Sequence, residues 1–98
     1  MEAYSTRTDT RYPSWDALVA AESHGWTVVT VMQQTTAKRT KVFARVHGLY
    51  TGVEGHREAR KGAARARNRF KAAEKRGEVP RGVTLLTVSV EPVWESDD

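Results

Sequence analysis

Between Arg57 and Arg76 the chain carries nine basic residues (Arg57, Arg60, Lys61, Arg65, Arg67, Arg69, Lys71, Lys75 and Arg76), opposed only by Glu58 and Glu74. The segment is net +7 in a protein of net +4, so the remaining residues sum to −3. Positive charge this concentrated does one kind of chemistry well. It attracts polyanions through phosphate contacts and the release of their counterions. Arg57, Arg60 and Lys61 fall where a helix would start, and a helix start adds partial positive charge and free N–H donors for phosphate. Lys38, Arg39, Lys41 and Arg45 form a second, looser basic group upstream.

Other chemistries find little footing. The chain has no cysteine, which removes disulfides, thiolate metal sites and thiol nucleophiles. His24, His47 and His56 are scattered, without partners at metal-ligand spacing, so no metal site is expected. Gly55 and Gly62 lack the Gly-Lys-Ser/Thr sequel of a phosphate-binding loop, and no serine sits in a nucleophile elbow. Capping and solvation account for Asp16 and Glu22. The expectation is a protein that is not an enzyme and uses no cofactor.

The elements that must position these charges follow from patterning. Ala59, Ala63, Ala66, Phe70 and Ala73 recur at helical spacing and predict a helix over about Gly55–Arg76, its basic residues sweeping the remaining circumference. Gly62 is the exception within it, at about 1 kcal/mol relative to Ala. Because the stripe is mostly Ala, the helix should lie close to what it covers, with Phe70 as anchor. Gly77 and Pro80 end it.

Upstream, Ser14 caps a short helix from Trp15 to Ser23. Trp26–Gln34 and Lys41–His47 read as strands joined by the polar loop Thr35–Thr40, hence an antiparallel hairpin. Leu49–Val53 reads as a short third strand or an irregular return. Thr84–Val90 alternates cleanly and is a further strand, which Pro92 ends or places at an edge. The predicted fold is α+β in the order α-β-β-(β)-α-β, a small antiparallel sheet of three to four strands with both helices on one face. Residues 1–12 are expected to be a flexible arm, 13–94 a single domain and 95–98 an acidic tail. Trp15, Trp26, Phe43, Tyr50, Phe70 and Trp94 belong mainly to the core. Phe43, Arg45 and His47 share one strand face, the best candidate for an exposed sheet surface.

The segment Glu54–Ala64, EGHREARKGAA, resembles the second-helix motif of double-stranded-RNA-binding domains, which approximates GSKKEAKNAAA. Aligned on Glu58-Ala59, the lysines of that motif fall at His56, Arg57 and Arg60. The resemblance implies contact with successive minor grooves by the first helix (Glu22) and the hairpin loop (Lys38, Arg39). It implies a phosphate clamp at Arg57, Arg60 and Lys61 across the intervening major groove. This chain departs from the family in having no loop histidine and in placing a strand after the helix.

The sequence therefore points to a cytoplasmic nucleic-acid-binding domain, RNA or DNA through backbone contacts. Its expected contact residues are Lys38, Arg39, Arg45, Arg57, Arg60, Lys61, Arg65, Arg67, Arg69 and Lys71. The alternative is a small protein-interaction module, such as an adaptor, inhibitor or phage-type accessory protein, binding an acidic protein. No membrane association is expected. The last strand is suited to pairing across a homodimer.

Overall fold

The computed structural model describes residues 1–94, so the expected acidic tail lies outside the described residues. Two strands, β1 (Ala3–Ser5) and β2 (Thr10–Tyr12), form an antiparallel ribbon ahead of helix α1 (Trp15–Glu22). Strands β3 (Gly25–Thr35) and β4 (Thr40–Tyr50) form the hairpin, helix α2 spans Gly55–Lys75, and β5 (Val83–Val93) closes the chain. The main sheet is antiparallel in the order β4-β3-β5, so β3 is central and the other two are edges.

The ribbon lies in residues 1–12, the segment expected to be a flexible arm. Ser5 is buried, and its hydroxyl donates to the Glu22 carboxylate at 2.7 Å, while Thr8 donates to the same carboxylate at 3.1 Å. The polar residues that suggested a solvated terminus instead bind one acid on α1. Their hydrogen bonds hold Glu22 below the usual glutamate range, the Ser5 bond most strongly, against a smaller opposing effect of desolvation. Tyr12 is pushed up, chiefly by its bond to Glu22.

Leu49–Val53, read as a short third strand or an irregular return, is no separate strand: Thr51–Val53 is irregular. β4 runs on to Tyr50, because a register shift between Trp26 and Val28 and a left-handed Gly48 (φ +79°) let the strand bend without ending. The third strand of the sheet comes only after α2. Pro92 does not end it. It lies within β5 and is tolerated because β5 is an edge.

α2 crosses one face of the sheet, and its Ala stripe is the contact. Ala59 and Ala63 are buried, and Ala63 joins Val28 and Val88 in the central cluster with Tyr50, Ala66, Leu85 and Val90 around it. Gly62 is buried as well. A Cβ built on it would lie 2.5 Å from the Tyr50 hydroxyl and 3.1 Å from Cζ. Tyr50 also fills the space beside Gly48, where a Cβ would lie 2.7 Å from Cε2. Two glycines thus make room for one phenol, and the exception in the helix pattern is what lets α2 settle onto the sheet.

α1 packs on the ribbon and stands at the Trp26 end of the sheet. There Asp16 and Ala20 face Val53 and His56 across a cleft, and Trp15 meets Trp94 edge-on at 5.8 Å between ring centres. The molecule is elongated, 49 × 29 × 27 Å, with a radius of gyration of 16.8 Å. A compact chain of this length would have about 13 Å. Among the described residues no helix is long and apolar enough to cross a membrane.

Candidate polyanion-binding grooves

α2 begins against the Trp26–Tyr50 end of the sheet, where Gly55 approaches the Tyr50 carbonyl. It ends near the hairpin loop: the left-handed Gly77 turns the chain, Glu78 N–H donates back to the Ala73 carbonyl at 2.9 Å, and Gly82 then accepts from the Thr35 N–H at 3.0 Å. Twenty-one residues at about 1.5 Å each span roughly 31 Å. The helix therefore runs the length of the sheet, with a groove along each flank.

The groove between α2 and β5 encloses about 650 Å³. His56, Arg57, Arg60, Lys61 and Arg67 line its helix side, and Val88, Ser89 and Val90 form the opposite wall. No carboxylate lines it. The helix start that borders this groove has no side-chain cap, since Glu54 makes no capping bond, so its partial positive charge is left to the same wall.

Arg67 serves the sheet as well. Its guanidinium donates to the Val88 carbonyl at 2.8 Å. Val88 shares strand parity with Pro92, which has no N–H to give, and this is the row of β5 backbone groups directed away from β3. Arg67 thus covers part of an edge that would otherwise be open for strand pairing.

On the other flank a groove of about 380 Å³ is lined by Thr30, Met32, Arg45, His47, Ala66, Arg69 and Phe70. His47 Nε2 lies 3.1 Å from the Thr30 hydroxyl, which orients the ring. Of the expected exposed surface of Phe43, Arg45 and His47, Arg45 is exposed and Phe43 and His47 are half-buried. Phe43 and Arg45 pair with Met32 and Thr30 on β3, and the face they share is the one α2 covers. Arg45 becomes a groove wall opposite Arg69.

The remaining basic residues divide by position. Arg65 and Lys71 are exposed and line neither groove. Lys38 and Arg39 lie in the turn closed by the Thr36–Arg39 backbone bond, at the far end of α2 from Arg57, Arg60 and Lys61. The loop and the helix start are separated because no third strand returns the chain before α2. Glu22, placed by the resemblance on a contact helix, is occupied by Ser5 and Thr8.

Few acids neutralise the helix. Arg57 meets Glu54 at 3.8 Å and Lys61 meets Glu58 at 3.4 Å, both exposed pairs that solvent screens. Arg60, Arg65, Arg69, Lys71 and Lys75 have no ion pair among the described residues. Sequence patterning missed His56 and the Val88–Val90 wall as parts of a site. Their role depends on β5 pairing beside β3, which local sequence does not signal. Near the same helix start, Trp26 packs against His56 at 4.3 Å between ring centres. Among the described residues no group of three or more His, Asp or Glu is placed to hold a metal ion.

No family model matches this chain, and neither the curated proteins nor the solved structures yield a match.

Proposed function

We propose that this protein binds nucleic acid without catalysis, through phosphate contacts in the grooves flanking α2, in the cytoplasm. The observation that carries this reading is that four Arg and Lys side chains, with His56 beside them, line the β5-side groove and no carboxylate does. Arg57, Arg60, Lys61 and Arg67 bind backbone phosphates there, and Arg45 and Arg69 extend the positive surface to the other flank. Lys38 and Arg39 make an outlying contact at the hairpin tip. The sequence resembles no base-reading motif such as a helix-turn-helix, so charge and shape govern affinity more than sequence.

The test is fluorescence anisotropy with duplex RNA, duplex DNA and single-stranded RNA over a salt series. Four cations in the groove predict a log–log salt slope of roughly −3.6 on duplex DNA, at about 0.9 per phosphate. Arg60→Ala should make it shallower by about 0.9. A slope unchanged by Arg60→Ala, or no binding at low salt, refutes the reading. A clear preference for duplex RNA would support what the double-stranded-RNA-binding resemblance implies.

A second reading is favoured by the β5 edge along the groove. Ser89 and Val90 are wall residues on an edge strand, where an extended acidic peptide could pair with backbone while its carboxylates meet the arginines. That reading predicts weak, equal binding to all three nucleic acids and one stoichiometric acidic protein partner.

A further inference from the structure

The face of the sheet opposite α2 carries Val29, Val31, Val42, Ala44, Val46 and Leu49. Val42, Val46 and Leu49 are 59%, 65% and 61% exposed. Neither helix covers this face; its β3 and β4 positions include no charged residue and its β5 positions include one, Glu91 opposite Thr27, in a chain with 29% charged residues. We propose that it docks on the same face of a second copy, giving a four-layer α/β/β/α dimer. The inference is independent of the anion-binding reading.

Charge and area select this occupant. Helix-to-helix association would set two basic helices against each other. Pairing of β5 edges would bring together the Arg67 side chains and basic grooves of both copies. Stacking these faces, whose charge is confined to Glu91 on the outer strand β5, instead leaves both α2 helices outermost, with two sheets and about 10 Å of packed side chains between the sheets. Each strand of the sheet has 11 residues, so the face measures roughly 36 Å by 14 Å at standard rise and strand spacing. Two such faces cover roughly 1,000 Å², the lower bound of a specific interface. The dimer should therefore be in exchange with monomer. Its two outward basic surfaces would make any polyanion binding bivalent.

Sedimentation equilibrium over roughly 1–200 μM, where an interface of this size dissociates, tests the proposal. The expected result is a mass rising from 11.0 kDa toward twice that value, with Val46→Glu remaining monomeric at every concentration. The chain has no cysteine, so single thiols give an independent readout in chains that retain the fold. Alkylation of Val46→Cys should slow as concentration rises, whereas Asn68→Cys, exposed on α2, should react at one rate throughout. A monomer across the whole range overturns the proposal. So does a dimer that survives in folded Val46→Glu, or concentration-independent alkylation of Val46→Cys.

Discussion

Gly62→Ala separates local propensity from packing. In an isolated helix the substitution would stabilise by about 1 kcal/mol. In this fold the added Cβ meets the Tyr50 hydroxyl at 2.5 Å and Cζ at 3.1 Å, against a normal carbon contact of about 3.5–4.0 Å. Tyr50 cannot simply swing aside, because its ring also fills the space beside Gly48. Overpacking of this kind costs about 1–3 kcal/mol. The net expectation is a loss of up to about 2 kcal/mol, or roughly 8–16 °C in Tm for a domain of this size. Tyr50→Phe removes the nearest clashing atom and, since the phenol makes no hydrogen bond in the described structure, little else. In that background Gly62→Ala should approach its propensity gain. The two substitutions should then couple by about 1–2 kcal/mol in a double-mutant cycle. Urea unfolding followed by tryptophan fluorescence gives all four stabilities. A Gly62→Ala protein stabilised by the full propensity gain, or one equally destabilised in both backgrounds, would refute the close approach of α2 to Tyr50.

Two further outcomes follow from single side chains. Arg60→Ala and Arg67→Ala should each make the salt dependence of nucleic-acid binding shallower by about 0.9. Only Arg67→Ala should also lower the unfolding free energy measured in urea, by about 0.5–1.5 kcal/mol for the lost bond to the Val88 carbonyl; equal stabilities would deny Arg67 its place on the β5 edge. Glu22 has a lowered carboxyl pKa in the fold, so its contribution to stability is complete above the ordinary glutamate value and is lost as pH falls through the depressed one. Acidification through that window should release the β1–β2 ribbon, seen as faster amide exchange at Ser5 and Thr8. Glu22→Gln should remove the pH dependence, and an acid profile identical in Glu22→Gln would show that another group controls it.

Much of the architecture was legible because it depends on local periodicity. The stripe from Ala59 to Ala73 marks a helix wherever it lies, and observed α2 ends within one residue of its predicted end. The β3–β4 hairpin was likewise readable, since β-branched runs joined by a short polar loop have few alternatives. The N-terminal ribbon was not readable. Its polar residues look solvated until Glu22, 17 residues from Ser5, supplies a common partner.

The candidate site divides along the same line. Sequence alone established the charge, its concentration on one helix and the absence of cysteine chemistry, because these are properties of composition and of a 3.6-residue repeat. Only the tertiary structure decided which charges share a groove. The pairing of β5 on the far side of β3 turned Val88–Val90 into a wall opposite Arg57, Arg60 and Lys61, and brought Arg45 across from Arg69. It also left Lys38 and Arg39 at the other end of the helix and one sheet face bare. The physical reason is that strand order and helix direction are set by non-local pairing and packing, which no window along the chain encodes.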